Sequence, residues 1–387
     1  MQSEQMAHPA CETHAAALRG RVRAASYEEA EDAFATLMEA ACLDEYVRTR
    51  PPAAATFERA LEETLASAYA AGTQNRPASA SAAAAHLFLQ RVLYRINRLK
   101  LFWYDRLSNY DNERSAYLRE VRDRVEAAWQ EWELAHLNFT APRREDVREA
   151  LLLRAGEDVA PEPSAGGLYF REEVGEVGYR RLLAIASLDG LVEASQLSRT
   201  LGGVSNDVHS VMTRLLVEEY GGGKISRKHS TFFTAMLEEL GMSAEPERYL
   251  ELVPWEVLAA INHSFLLSER KRFYLRYVGG LLYTEVSVPA AFDSYRAAAE
   301  RLGMSETARA YWELHIREDE RHGRWMLHDV ALPLAEKYPA EAWEIVLGYD
   351  QQKFMSARAG AGVEREVRAA EREAARDESR IRQGGEA

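Results

Sequence analysis

Cysteine is nearly absent from this sequence of 387 residues, which holds only Cys11 and Cys42. Two thiols can build neither a disulfide framework nor a thiolate zinc site, and they suit a reducing compartment. Proline is sparse, with 12 in the whole chain, and no strand pattern or internal repeat is visible. No apolar run approaches the roughly 20 residues needed to span a bilayer. The N-terminal MQSEQMAHPACETHAAALRG lacks the apolar core of a signal peptide. A cytoplasmic protein with no membrane partner is therefore expected. Lysine occurs only at positions 100, 224, 228, 271, 337 and 353, and the net charge is −13. That balance argues against a general nucleic-acid surface.

What is present is helical. Alanine and glutamate abound, 47% of the chain is hydrophobic, and the apolar residues recur with helical spacing almost throughout. The expected class is all-α. Residues 1–25 read as poorly ordered, and 1–153 as an N-terminal helical domain. Its aromatics, including Phe102, Trp103, Tyr104, Tyr110 and Tyr117, suggest packed helices and an oligomer interface. Residues 154–168, with Pro161, Pro163 and three glycines, read as a linker. A second helical domain is expected over 169–362. The highly charged tail 363–387 reads as an exposed helix or as disorder.

The stretch ELHIREDERHGRW, residues 313–325, carries three potential metal ligands. At about 100° per residue, Asp319 falls about 40° to one side of His315 and His322 about 20° to the other. Tyr311 and Met326 share that stripe, whereas Glu313, Arg317, Glu320 and Arg324 gather opposite. The triad is thus expected on the buried face. A metal ion would relieve the cost of burying a carboxylate beside two imidazoles. A hydrogen-bonded His–Asp–His cluster in a helical core would satisfy the same stripe.

Other candidates pass the same test. Glu219 shares a face with Met212, Leu215 and Leu216, while Glu218 points elsewhere. Beyond Gly221-Gly222-Gly223, His229 shares a face with Phe232, Phe233 and Met236, in a helix that Ser226 would cap. Glu285 lies with Val278, Leu281 and Leu282, and Pro289 suggests a kink nearby. Glu193 is flanked by Leu182, Ala186 and Leu197 but also by Asp189 and Gln196. Each residue alone has a structural reading. Together, carboxylates and imidazoles on apolar faces of several helices match how bundles hold di-iron sites. The mixed donor set suits iron or manganese. EYGGGKIS fails as a phosphate loop because Ile225 stands where Ser or Thr belongs. No nucleophile elbow occurs. Haem ligation by His315 or His322 would leave the carboxylates unexplained. His209, His263 and His328 read as structural.

EEYGGGKISRKH followed by HIREDERHGRWML resembles the haem-oxygenase-like di-iron oxidase and oxygenase superfamily, over about residues 170–360. The resemblance implies a haem-oxygenase-like helical bundle with an additional N-terminal helical domain associated with dimerisation. It implies two irons held by Glu219, His229, Glu285, His315, Asp319 and His322, with O2 as co-substrate and an external electron donor. Glu193, 26 residues before Glu219, stands where the N-oxygenating branch has an extra carboxylate ligand. The expected reaction is oxidation of a small-molecule amine nitrogen to hydroxylamine or nitro product. The charged tail stands where related enzymes continue into a cupin domain, so simple N-oxygenation is expected over N–N bond formation. Desaturation or C–C cleavage of a fatty or amino acid is the alternative. Tyr311, Trp312 and Trp325 are candidates to line the pocket.

Overall fold

The computed structural model describes residues 25–69, 79–100, 106–137, 140–203 and 206–384; these form helices and turns and contain no strand. The N-terminal stretch with Cys11, the polar segment 73–78, and Phe102, Trp103 and Tyr104 lie outside the described residues. The first helices are α1 (Ala25–Glu39), α2 (Leu43–Arg48), α3 (Pro52–Ala68), α4 (Ala80–Arg98) and α5 (Ala116–Leu134). They are followed by α6 (Val147–Asp158), α7 (Ala165–Glu172), α8 (Glu176–Gly190) and the short α9 (Ser195–Ser198). Then come α10 (Asp207–Glu219), α11 (His229–Glu239), α12 (Trp255–Glu269) and α13 (Tyr274–Arg301). The last are α14 (Glu306–Trp325), α15 (Leu332–Lys337) and α16 (Trp343–Gly384). A π-helical stretch, Met326–Ala331, joins α14 to α15.

The N-terminal helices bury Phe34, Phe57, Phe88 and Trp129 in one core. That core continues into Trp255 and Leu266 of α12 and Met355 of α16. Asn97 donates to the Asn262 side chain at 3.0 Å, and Asn262 donates to the Gln90 carbonyl at 2.9 Å. Polar groups buried this deeply need such partners, so α4 and α12 are locked in register.

Helices also fill much of the expected linker. Asp158 is held by the Tyr349 hydroxyl and the Lys353 ammonium, and Arg154 by Glu145 and Asp350. These bonds carry α6 to Asp158, and Ser164 caps α7 by accepting from Gly167 N. Only residues 159–164 lie between them. The charged C-terminal stretch is helical to Gly384, and its inner face is covered. Val367, Ala369 and Ala370 are buried, and Glu371 accepts hydrogen bonds from Gly175 N and the Tyr169 hydroxyl. No break occurs at position 362.

Two glycines fix the crossing that matters most for the site. A Cβ on Gly279 of α13 would sit 1.9 Å from the Ile345 carbonyl oxygen of α16. One on Gly348 would sit 2.0 Å from the Arg276 carbonyl oxygen. Backbone thus meets backbone, as only glycine permits. α13 runs on through Pro289 to Arg301, so the proline does not end the helix.

Candidate metal centre

The α14 helix opens on a Ser305 cap, whose hydroxyl accepts from Ala308 N. Its charged residues face outward, and Tyr311, Trp312, His315, Asp319 and His322 are buried. The stripe read from the sequence points inward. His315 Nδ1 lies 2.9 Å from the Tyr311 carbonyl oxygen, one turn back. Donation to that carbonyl fixes the tautomer and leaves Nε2 as the free lone pair. Nε2 lies 2.7 Å from Glu193 Oε1 and 3.3 Å from His229 Nδ1.

Glu219 ends α10, and the chain reverses through Gly221, Gly222 and Gly223, all at positive φ. A Cβ on Gly221 would meet the Arg227 carbonyl carbon at 2.4 Å. The reversal brings His229 Nδ1 to 2.9 Å from Glu219 Oε2. Ser226 does not cap α11, contrary to expectation. It lies in a 3-10 turn, Ile225–Arg227, and α11 begins at His229 without a side-chain cap. The tight turn consumes the residues that a longer helix would have used.

His322 defines the other half. Its Nδ1 lies 3.4 Å from Glu285 Oε2, 3.5 Å from Asp319 Oδ1 and 3.5 Å from Glu219 Oε1. It forms a hydrogen bond with none of them although it is fully buried. Glu285 reaches the site because α13 and α14 approach closely, with Gly323 against the Glu285 backbone.

Glu193 reaches the site from a turn rather than from a helix face. The chain from Arg171 to Gly202 is not one helix. α8 stops at Gly190, and Glu193 sits in the turn before Ala194, which adopts a left-handed φ of 61°. Gly190 is pressed against Phe233, where a Cβ would lie 2.8 Å from Cδ2. The helix breaks there, and the turn directs Glu193 toward α14. Its Oε1 accepts from the Tyr311 hydroxyl at 2.9 Å, and its Oε2 is buried without a hydrogen-bond partner.

All seven sequence candidates therefore converge. Glu193, Glu219, His229 and His315 offer donor atoms within 4.8 Å of one another, and so do Glu219, Asp319 and His322. Glu219 belongs to both groups, and Glu285 faces the second through His322. Sequence reasoning missed Glu218, whose Oε2 lies 3.0 Å from His322 Nε2 and 2.6 Å from an Arg321 nitrogen. It turns His322 Nδ1 toward the carboxylates. The adjacent acidic pair at the end of α10 was the one available signal. Of the aromatic candidates, Tyr311 borders the cavity. Trp312 is buried, donating to the Tyr179 hydroxyl, and Trp325 stacks under the Arg214 guanidinium.

The charges are severe without a metal. Burial opposes protonation of His315, but the Glu193 carboxylate outweighs it and lifts the imidazole pKa to about 10. Burial likewise opposes protonation of His322, and Asp319 and Glu285 lift it to about 11. Burial pushes Glu285 up to about 7. Glu193 is lowered despite its burial because His315 lies against it. The orphaned His322 Nδ1 and Glu193 Oε2 each sit where a ligand's lone pair would be used. Hard oxygens with imidazoles and no thiolate suit iron or manganese, and each of the two cluster histidines of α14 has the outer hydrogen-bond partner that a ligand histidine needs. The residues fit a pair of metal ions.

A cavity of about 280 Å³ adjoins the cluster, bordered by Glu193, Glu219, Glu285, His315 and Asp319. Its other walls include Leu215, Leu281, Val288 and Phe292, with Asp189, Gln196, Ser264 and Thr284 as polar points. No helix of the described residues is long and apolar enough to cross a membrane.

Residues 180–352 match the family described as iron-containing redox enzymes, a segment that includes all seven candidates. Over 171 residues, 43% of this chain, the sequence is 31% identical to the nitrosourea synthase of Streptomyces achromogenes subsp. streptozoticus. That match spans 36% of the relative's own length.

Proposed function

We propose, from the match of residues 180–352 to the iron-containing redox enzymes, that this oxidoreductase is a di-iron N-oxygenase of a small-molecule amine. The reaction is R–NH2 + O2 + 2e⁻ + 2H⁺ → R–NHOH + H2O, with the electrons from an external donor. One observation carries the reading: Glu219 offers one oxygen to each donor group, so two metals would share it. The relative's name, nitrosourea synthase, supports nitrogen as the atom oxidised.

Iron bound at such a site supplies electrons to O2. Glu193, His229 and His315 would hold one ion, Glu285, Asp319 and His322 the other, and Glu219 would lie between. The protein's own groups set the conditions. Glu218 accepts the His322 Nε2 proton and keeps Nδ1 free for the metal. The Tyr311 carbonyl does the same for His315, and the Tyr311 hydroxyl steers Glu193. Leu215, Leu281, Val288 and Phe292 give the substrate an apolar wall beside the cluster, and the lone pair of the reacting nitrogen must be free of a proton to react.

The test is anaerobic loading with Fe(II), addition of O2 and mass spectrometry of a panel of amines, guanidines and fatty acids. Gain of oxygen on an amine nitrogen is expected. Loss of hydrogen or of carbon from a fatty acid, with amines untouched, would replace this reading by desaturation or C–C cleavage.

A further inference from the structure

One part of this acidic chain, whose net charge is −13, is basic. Residues 220–237 hold Lys224, Arg227 and Lys228 and no acid. All three cations lie in the turn that joins Glu219 to His229. Lys224 and Arg227 are exposed and, among the described residues, form no ion pair. Lys228 stands over the Tyr220 ring at 4.5 Å. Between these cations Ile225 is 76% exposed, so the turn presents an apolar point within a charged rim.

The same surface continues along the outer face of α10. Arg214 and the exposed Val217 share that face, and Arg227 packs its Cβ against Gly221, just beyond the end of the helix. Arg214 is exposed, and its guanidinium carbon lies 3.5 Å above the Trp325 ring. Arg321 lies 5.1 Å from that ring and is paired with Glu218 and Glu318. Trp325 is half-buried, and its ring centroid is 5.7 Å from that of His322. One indole thus bridges this surface and an imidazole whose Nδ1 faces the cluster carboxylates. Electron transfer slows steeply with distance, and here the passage from solvent to the cluster is two rings long.

We infer that this surface, formed by Arg214, Lys224, Ile225, Arg227 and Trp325, docks a small acidic protein that carries one electron at a time. The inference rests on the N-oxygenase reading, whose reaction takes two electrons from outside. Two reduced carriers supply them, each giving up one electron and leaving oxidised, and the two protons come from solvent. Charge selects the occupant. A chain at −13 repels an acidic partner over most of its surface, and a local group of cations orients such a partner at one place and speeds its arrival. A basic carrier would be drawn to the rest of the molecule instead.

The probe is a plant-type [2Fe–2S] ferredoxin, a small acidic one-electron carrier. Binding to the intact chain is read by calorimetry at low and high salt. Electron delivery is read by stopped-flow recovery of the ferredoxin's visible absorbance on mixing its reduced form with the iron-loaded, oxidised chain. Binding and delivery are both expected to weaken steeply with salt. The double variant Lys224→Glu, Arg227→Glu should lower both by about tenfold or more, leaving reduction by neutral hydroquinone unchanged. The double variant Arg372→Glu, Arg376→Glu makes the same change in net charge on the exposed part of α16 and should lower neither by more than about twofold. No binding at low salt, binding that survives Lys224→Glu, Arg227→Glu, or equal losses in the two double variants overturns the inference. A chain that binds ferredoxin at this surface but takes up no iron would leave the docking surface standing and overturn the metal reading.

Discussion

Glu218 Oε2 lies 3.0 Å from His322 Nε2, behind the ring whose Nδ1 faces Glu219, Glu285 and Asp319. Neighbouring residues of α10 thus serve one histidine from opposite sides. A carboxylate behind a ligating imidazole fixes its orientation and raises its basicity. Glu218→Ala should weaken metal binding at the His322 half by about 10–100-fold, with little change in the helical circular dichroism spectrum. Glu218→Gln keeps an acceptor and should lose less. Competitive metal titration against a chromogenic chelator reads the difference.

Glu219 should behave differently from its partners. It contributes to both donor groups, whereas Glu193 and Asp319 each belong to one. Glu219→Ala is expected to reduce bound iron from two per chain toward none. Asp319→Ala or Glu193→Ala should leave about one. Elemental analysis of anaerobically loaded variants checks this, and a single iron retained by Glu219→Ala would show that it does not link the groups.

The legible part of this site was the part written on helices. His315, Asp319 and His322 are fixed relative to one another by the α-helical period alone, so their common face followed from spacing. Glu219, His229 and Glu285 followed because apolar neighbours on the same helix mark the buried side. Glu193 has no clear face by helical period, and only the family resemblance singles it out. Its position depends on the Gly190–Phe233 contact and the left-handed Ala194, neither of which periodicity encodes. Glu218 was dismissed because a helix turns its neighbours apart. The end of α10 is where a reaching side chain can defeat that rule. The charged C-terminal stretch reads as an exposed helix or as disorder because charge dominates it and its apolar positions are few. They suffice when Tyr169 and Gly175 supply partners for Glu371.

The α13–α16 crossing gives a stability prediction with its own control. Gly279→Ala and Gly348→Ala place a methyl group into a backbone carbonyl, so the helices must separate. Overpacking of this kind costs about 1–3 kcal/mol or more, and because α13 carries Glu285 it should also weaken metal binding. Gly360→Ala, in the same α16 with nothing within 4 Å of the added Cβ, should instead stabilise by about 0.5–1 kcal/mol. Thermal melts of the three variants separate the two effects.

Stability should also fall in acid through histidines outside the cluster. Burial, reinforced by Arg276 and Arg358, pushes His263 down to about 3, and burial pushes His86 down to about 4. Both are neutral when folded and take up protons near pH 6.5 when unfolded. The folded state therefore binds fewer protons over that window. Their contribution is complete above about pH 6.5 and is lost as pH falls toward 3–4, by up to about 1.4 kcal/mol per pH unit for each. His263→Gln should flatten the slope of urea-unfolding stability against pH between 6.5 and 4, relative to wild type. An unchanged slope would show that His263 is not held neutral.

With iron bound, Glu219 would join two metal ions in one centre. Iron K-edge X-ray absorption of the protein loaded anaerobically with Fe(II) measures this directly. Two irons per chain are expected, with an iron–iron scattering path of about 3.5–4 Å that disappears in Glu219→Ala. A single iron per chain, or two irons without such a path, would contradict it.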